Sequence, residues 1–252
     1  MTAEAIRIPS AGALFWAEAT PDGTGTPRAI TGRPPLLQVS LTAALPRGIS
    51  AVIDSRGIAL MTLPQYYDHL PTEAELATLP TVSPVTVQGS VTSLDTRFFP
   101  RLFSVTSTPG TASYVALRPS LQAVRITEAG AIILTLKWQS GTAASWSIVN
   151  LSCLRNGVTI GFSGQADVNG DIIIPLTGLP PLVAPATNDQ MTVTALGDPT
   201  QSGQAAGNPD ALKAVQLSIG AAYATQQTIT VTRGQISTAA TLAIPGITLQ
   251  SI

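Results

Sequence analysis

Charge is what this sequence has least of. Only 11% of its 252 residues are Asp, Glu, Lys or Arg, against roughly a quarter in ordinary soluble domains. The formal net charge is −1, and Lys137 and Lys213 are the only lysines. A nucleic-acid binder needs a basic stripe to displace counterions from phosphates, and no such stripe is present. Cysteine and histidine occur once each, as Cys153 and His69, which excludes an intramolecular disulfide and a structural zinc site built from these residues. Aromatics make up 5% of the chain, too few to favour a sugar-stacking face. Lys, Arg, Pro or polar residues interrupt every apolar run well before the roughly 18 residues a membrane-spanning helix requires. An apolar patch at residues 11–17 follows Arg7, but Glu4, Pro9 and Glu18 sit badly for a signal peptide and no basic cluster precedes it. The expectation is a mature N-terminus with an early strand, on a chain made in the cytoplasm.

Hydrophobic residues, at 44%, are plentiful enough for a core in one or two domains and too abundant for a charged disordered tail. Ser and Thr together form about a fifth of the chain, with 21 Gly and 20 Pro. Helical signals are scarce. Residues 71–79 predict two turns, with Thr72 and Glu75 spaced as a capping box. Residues 210–216 read either as a short helix or as the lead into a strand. Elsewhere short alternating or β-branched runs end at Gly, Pro or Asn. They fall at residues 36–41, 85–91, 99–106, 132–138, 146–154, 158–162, 171–176, 191–196, 227–232 and 240–247. Alternation within 146–154 breaks after Ile148, as a bulge or two-sided burial would produce. Asn156-Gly157 predicts a two-residue type I′ hairpin that folds the strand ending at Leu154 back on the one starting at Val158.

Many short strands with closely spaced turns predict an all-β fold of tandem small antiparallel β-sandwich domains with one short helix. A shared turn-and-strand unit supports two domains. Asp54-Ser-Arg-Gly57 and Asp167-Val-Asn-Gly170 each precede an apolar strand, with Asp accepting backbone N–H bonds and Gly taking a left-handed position. The predicted division is 1–118 and 119–252. Residues 197–209 form the longest low-complexity stretch, without an apolar anchor, and read as a surface loop or a linker.

No residue combination points to a catalytic centre, a cofactor or a metal. Asp167, Asn169 and Asp171 alternate as calcium ligands do, but Gly170 comes early and Gly178 stands where a Glu is required. A hairpin turn accounts for the same residues. Catalysis by His69 would need a nucleophile, yet no G-x-S-x-G elbow exists, and Cys153 falls on a strand predicted to be buried. The alternative is a surface histidine. Glycine-rich phosphate loops are absent. Two segments remain as candidate interaction sites. One contains Tyr66, Tyr67 and His69. The other is Arg97-Phe98-Phe99-Pro100-Arg101, in which an extended backbone sends Phe98 and Phe99 to opposite faces. One Phe then enters the core and the other meets a partner or a covering loop, with Arg97 and Arg101 alongside. A strand start with snorkelling arginines explains the same residues.

The runs at residues 145–161 and 166–176 contain Asn156-Gly157 and Asp167-Val-Asn-Gly170-Asp-Ile. They are similar to the carboxypeptidase regulatory-like domain, a transthyretin-like β-sandwich with a T-D-x-N-G-x-apolar turn. Ala166 replaces the usual Thr, and the Gly-Ala before the first strand is missing. The resemblance implies a structural or binding module without catalytic residues. The whole chain resembles structural components of tailed bacteriophages and contractile injection particles. It shares their excess of Thr, Ser, Ala and Gly, few lysines, tandem small β-domains and no export signal. That resemblance implies a non-enzymatic tail, tail-tip or baseplate subunit of the virion, assembled in the host cytoplasm. Its partners would be copies of itself and other structural proteins of the particle, with no nucleic acid and no membrane span. An adhesion module binding a host surface or polysaccharide through Tyr66 to His69 is the alternative. An enzyme such as a glycosidase would require a cleft with converging carboxylates.

Overall fold

A computed structural model describes residues 5–7, 10–20, 26–62, 65–67, 69, 72, 74, 83–182, 186–220 and 222–252. The protein is all-β: strand accounts for 52% and helix for 3%, and no described helix reaches seven residues. The first strands in chain order are β1 (Ala5–Arg7), β2 (Ser10–Glu18), β3 (Arg28–Ala29), β4 (Leu37–Leu41) and β5 (Ile49–Ile53). β6 (Gly57–Thr62), β7 (Gln65–Tyr67), β8 (Val85–Ser93), β9 (Arg101–Ser107) and β10 (Ala112–Leu117) follow. They form a five-stranded sheet of order β10-β2-β6-β5 with β3 beside β2, a three-stranded sheet β4-β8-β9 and the pair β1-β7. The two larger sheets face each other across one core. Alternation decides which side chains enter it: Leu14, Trp16, Ile58 and Leu60 from one sheet, Val87 and Phe103 from the other. Trp16 and Phe103 meet edge to face at 6.0 Å.

The C-terminal half contains β11 (Ala131–Trp138), β12 (Ile148–Arg155), β13 (Val158–Gln165), β14 (Asp171–Pro175) and β15 (Asp189–Gly197). These are followed by β16 (Lys213–Ser218), β17 (Gln227–Val231), β18 (Ile236–Thr238) and β19 (Ile247–Gln250). One path runs β13-β12-β15-β16-β19-β11-β14, with β17 on β15 and β18 on β11. The path curls until its ends touch. A Cβ on Gly164 of β13 would lie 2.8 Å from Ile174 Cγ1 and 2.9 Å from the Ile173 carbonyl of β14. Inside sits a second core that includes Leu136, Trp138, Leu151, Phe162, Ile174 and Val193. Its residues run from Ala129 to Leu249, whereas those of the first run from Ala11 to Leu117. Among the described strands, three pairings are parallel (β10 with β2, and β18 and β19 with β11), and the remainder are antiparallel.

Local sequence explains the turns. Asn156 and Gly157 both have positive φ, 50° and 78°, and Arg155 faces Val158 across the hairpin. Ile148 and Val149 are both buried, so two-sided burial accounts for the broken alternation. Asp54 accepts the N–H groups of Arg56 and Gly57 at 2.7 and 3.0 Å. Asp167 accepts those of Asn169 and Asp171 at 2.8 and 3.0 Å. Of the two glycines only Gly170 is left-handed, at φ 83°.

Of residues 240–247, expected as a strand, 240–243 form a turn and only Ile247 is strand, as the first residue of β19. The Leu242 and Ile244 N–H groups donate back to the Thr238 and Ala239 carbonyls at 2.9 and 3.0 Å. Thr241 Oγ1 accepts the Thr238 N–H at 2.7 Å. Hydroxyls that compete for local backbone groups, followed by Pro245 without an N–H, prevent a ladder there. Residues 210–216 resolve into a single 3-10 turn, Pro209–Ala211, leading into β16. The helix expected at 71–79 lies outside the described residues except for Thr72 and Ala74.

Gly157→Ala places a Cβ in open space at positive φ and is expected to lower unfolding stability by about 1 kcal/mol. Gly170→Ala adds a collision with the Leu136 carbonyl and should lower it further. Urea midpoints of the two variants check the order.

Candidate functional site

The two segments singled out by sequence lie in different settings. Tyr66 and Tyr67 belong to β7, whose backbone pairs with β1 in the register Ile6 to Tyr66 and Ala5 to Tyr67; their side chains lie outside what is described. His69 is exposed, and Asp68 falls outside the described residues.

The Arg97-Phe98-Phe99-Pro100-Arg101 segment runs between the two halves. Alternation sends its phenylalanines to opposite sides. Phe98 enters the first core and Phe99 meets Trp146 edge to face at 5.9 Å; each is only 7% exposed. The backbone is held on both flanks. Phe99 N–H donates to the Arg118 carbonyl at 3.0 Å and Ser120 N–H to the Arg97 carbonyl at 2.9 Å. Leu102 N–H donates to the Gly207 carbonyl at 2.7 Å, and Gly207 N–H to the Pro100 carbonyl at 3.2 Å. Gly207 is tight against Trp146, where a Cβ would come within 2.7 Å of the Trp146 side chain.

The loop at 197–209, read from sequence as a surface loop or a linker without an apolar anchor, is a bracket held to the fold. Its anchors are polar. Trp138 Nε1 donates to Ser202 Oγ at 3.0 Å, Trp146 Nε1 to the Gln204 carbonyl at 2.9 Å, and Gly203 N–H to Ser145 Oγ at 3.2 Å. Gln201, itself buried, exchanges side-chain bonds with the Asn208 backbone at 2.7 and 3.1 Å.

Three arginines define the electrostatics. Arg101 is buried; it donates to the Ala116 and Leu102 carbonyls and pairs with Asp210, which is about half exposed. Burial pushes its pKa down, opposed by the Asp210 carboxylate. Arg118 donates to Ser163 Oγ at 2.9 Å, and no described carboxylate pairs with it. Burial, reinforced by the nearby Arg101 charge, pushes Arg118 down to about 10, so it stays a cation at neutral pH. Arg97 donates from Nε to Asp95 at 2.8 Å, lies over the Phe98 ring at 5.7 Å, and keeps Nη2 buried with no partner. Burial alone would raise Asp95, but hydrogen bonds from Ser93, Arg97 and the Leu36 N–H outweigh it and hold its pKa at about 2.

A cleft of about 420 Å³ opens at this junction, lined by Glu18, Arg97, Phe98, Arg118, Arg125 and Gln165 among others. Sequence reading noted Arg97, Phe98 and Arg101, but the structure leaves neither Phe98 nor Arg101 at the surface. It missed Arg118, Trp146, Gly207 and Asp210. Only the aromatic pair between two arginines was a local clue.

A second feature is the outer face of the β10-β2-β6-β5 sheet. Ala112, Ala13, Ala59 and Val52 stand in register across four strands, and Tyr114 stands beside Phe15. The rings lie 6.1 Å apart and remain 43% and 41% exposed. Met61 and Ser50 continue the face, and none of these positions carries a charge.

Other polar groups are paired only in part: Arg155 Nε and Asp189 Oδ2 are buried without a hydrogen-bond partner, although the two side chains pair through Nη2 and Oδ1. Asp171 accepts from Thr135 Oγ1 at 2.6 Å. Cys153 is buried, which raises its thiol pKa, as does the charge of Asp189, itself paired with Arg155. Among the described residues no three His, Cys, Asp or Glu side chains converge as metal ligands, and no helix is long and apolar enough to cross a membrane. Comparison with protein-family models, curated proteins and solved structures finds no match for the chain.

Asp210→Asn removes the carboxylate paired with buried Arg101 and is expected to cost about 2 kcal/mol, between the values for exposed and fully buried pairs; chemical denaturation reads it. Asp95, with its folded pKa below the ordinary value, stabilises the fold above about pH 4, and that contribution disappears as pH falls to about 2. An Asp95→Asn variant should therefore differ most from the parent at neutral pH and converge with it near pH 2, as acid unfolding curves would record.

Proposed function

We propose that this chain is a non-enzymatic structural subunit of a multimeric particle of the tailed-phage or contractile-injection kind. It joins its neighbours through β-sheet surfaces and resides in the virion after assembly in the host cytoplasm. The observation that carries this reading is the outer face of the β10-β2-β6-β5 sheet, whose paired strand positions carry no charge, Arg56 being the charged neighbour of the Phe15–Tyr114 pair. Contiguous exposed apolar surface marks an interaction site on a soluble protein. Here an aromatic pair sits among alanines, a composition that lets a second sheet approach to the usual ~10 Å spacing.

The occupant of this face is a second copy of the chain. The paired strand positions of two such faces bring no like charges together, so self-pairing there avoids the desolvation cost that charged groups impose. Strand β5 adds a way to extend the contact. Among the described residues it pairs only with β6, and Val52 and Ile53 are exposed on it. An unpaired strand edge recruits another strand. The β12–β13 hairpin, with Leu154 and Val158 exposed at its tip, is a surface for other proteins of the particle.

Light scattering of the full chain across a concentration series should show self-association. Phe15→Glu should weaken it by about tenfold or more, because it buries a charge at the contact, with circular dichroism unchanged. A strict monomer at every concentration overturns the face as a contact. Absence of the chain from purified particles overturns the virion assignment.

A further inference from the structure

The junction contains more positive charge than its own carboxylates neutralise. Asp210 answers Arg101 and Asp95 answers Arg97. Arg118 and Arg125 have no carboxylate partner among the described residues, yet both line the same cleft as Arg97. Glu18 is the one acid on its wall among the described residues. This occurs in a chain with 13 basic residues in all and a formal charge of −1, so the local excess is not a general basic character. A partly buried guanidinium beside a second buried guanidinium is costly unless an anion offsets it.

We propose that the cleft binds a small free oxyanion, a phosphate or carboxylate group, held by Arg118 and Arg125 with Arg97 at its side. Donors are in place for it. The described hydrogen bond of Arg118 uses Nη1 alone, toward Ser163, which leaves its other guanidinium N–H groups for the anion. Guanidinium forks match the paired oxygens of carboxylate and phosphate. Ser163 and Gln165 add neutral polar groups, while Phe98, Pro119, Val124 and Ile173 form apolar walls that lower the local dielectric and strengthen each contact. The volume of about 420 Å³ suits a small molecule bearing such a group. Arg97 belongs to the first half, Arg118 and Arg125 to the connection, and Ser163 and Gln165 to β13 of the second. A bound anion therefore ties the halves together.

The test is thermal unfolding and calorimetric titration of the full chain with inorganic phosphate and, separately, with succinate, ionic strength being held constant with sodium chloride. A saturable rise in melting temperature with either anion supports the site, and the anion that gives it decides between phosphate and carboxylate. Arg118→Gln should weaken binding by about tenfold or more, the equivalent of one charge-assisted hydrogen bond, and Arg125→Gln by severalfold. No saturable shift beyond the chloride control overturns the proposal, as does an affinity unchanged in Arg118→Gln. Should Arg118→Gln fail to fold, the exposed Arg125 carries the test, and unchanged affinity in Arg125→Gln overturns the proposal equally.

Discussion

A guanidinium taken out of water must recover its hydrogen bonds from protein, and at Arg101 the recovery involves both halves of the chain. The Ala116 carbonyl comes from β10 of the first half, and the Asp210 carboxylate from the turn that leads into β16 of the second. With Arg101 fixed, β9 begins where it does. Pro100 and Leu102 then exchange backbone bonds with Gly207, and Phe99 is delivered to Trp146. The loop around Gly207 needs no apolar anchor of its own, because two indole N–H groups and buried Gln201 hold it from below. Arg118 recovers a hydrogen bond from Ser163 Oγ of the second half but pairs with no described carboxylate.

What sequence reading recovered depends on how far apart the interacting residues are. Asn156-Gly157 could be read because the turn and its register are decided by two adjacent residues with positive φ. The alternation of Val85, Val87 and Val91 was legible for the same reason: each strand reports its own buried face. Residues 240–247 misled because Leu242 and Ile244 alternate like a strand while the Thr238 and Thr241 hydroxyls turn the backbone on itself. The junction was half legible. Period two showed that Phe98 and Phe99 diverge, but what Phe99 meets is set by tertiary packing. Arg101 and Asp210 are 109 positions apart, and no local pattern encodes that pairing.

The shortage of charge also acquires a structural counterpart. Where other sheets use ion pairs across exposed strands, two sheets of this protein use hydroxyls and amides. Thr86 faces Thr106 at 3.0 Å and Gln88 donates to Ser104 at 3.3 Å between β8 and β9. Gln190 donates to Thr230 at 2.8 Å between β15 and β17. Such pairs hold register without the salt sensitivity of exposed ion pairs. They make the abundance of Ser and Thr part of the sheets' cohesion.

The parallel pairing of β10 with β2 has a consequence for how the chain comes into being. β2 leaves the ribosome well before its parallel neighbour, which is the last strand of the first half. Until residue 117 has emerged, that edge of β2 has no neighbour, and burial of Arg101 must wait longer still, for Asp210. Synthesis from the N-terminal side thus leaves the nascent first half with an open strand edge and an unanswered cation. Domains generally complete as units during translation. Here the junction becomes a late event of biogenesis, closing only after most of the second half has been made.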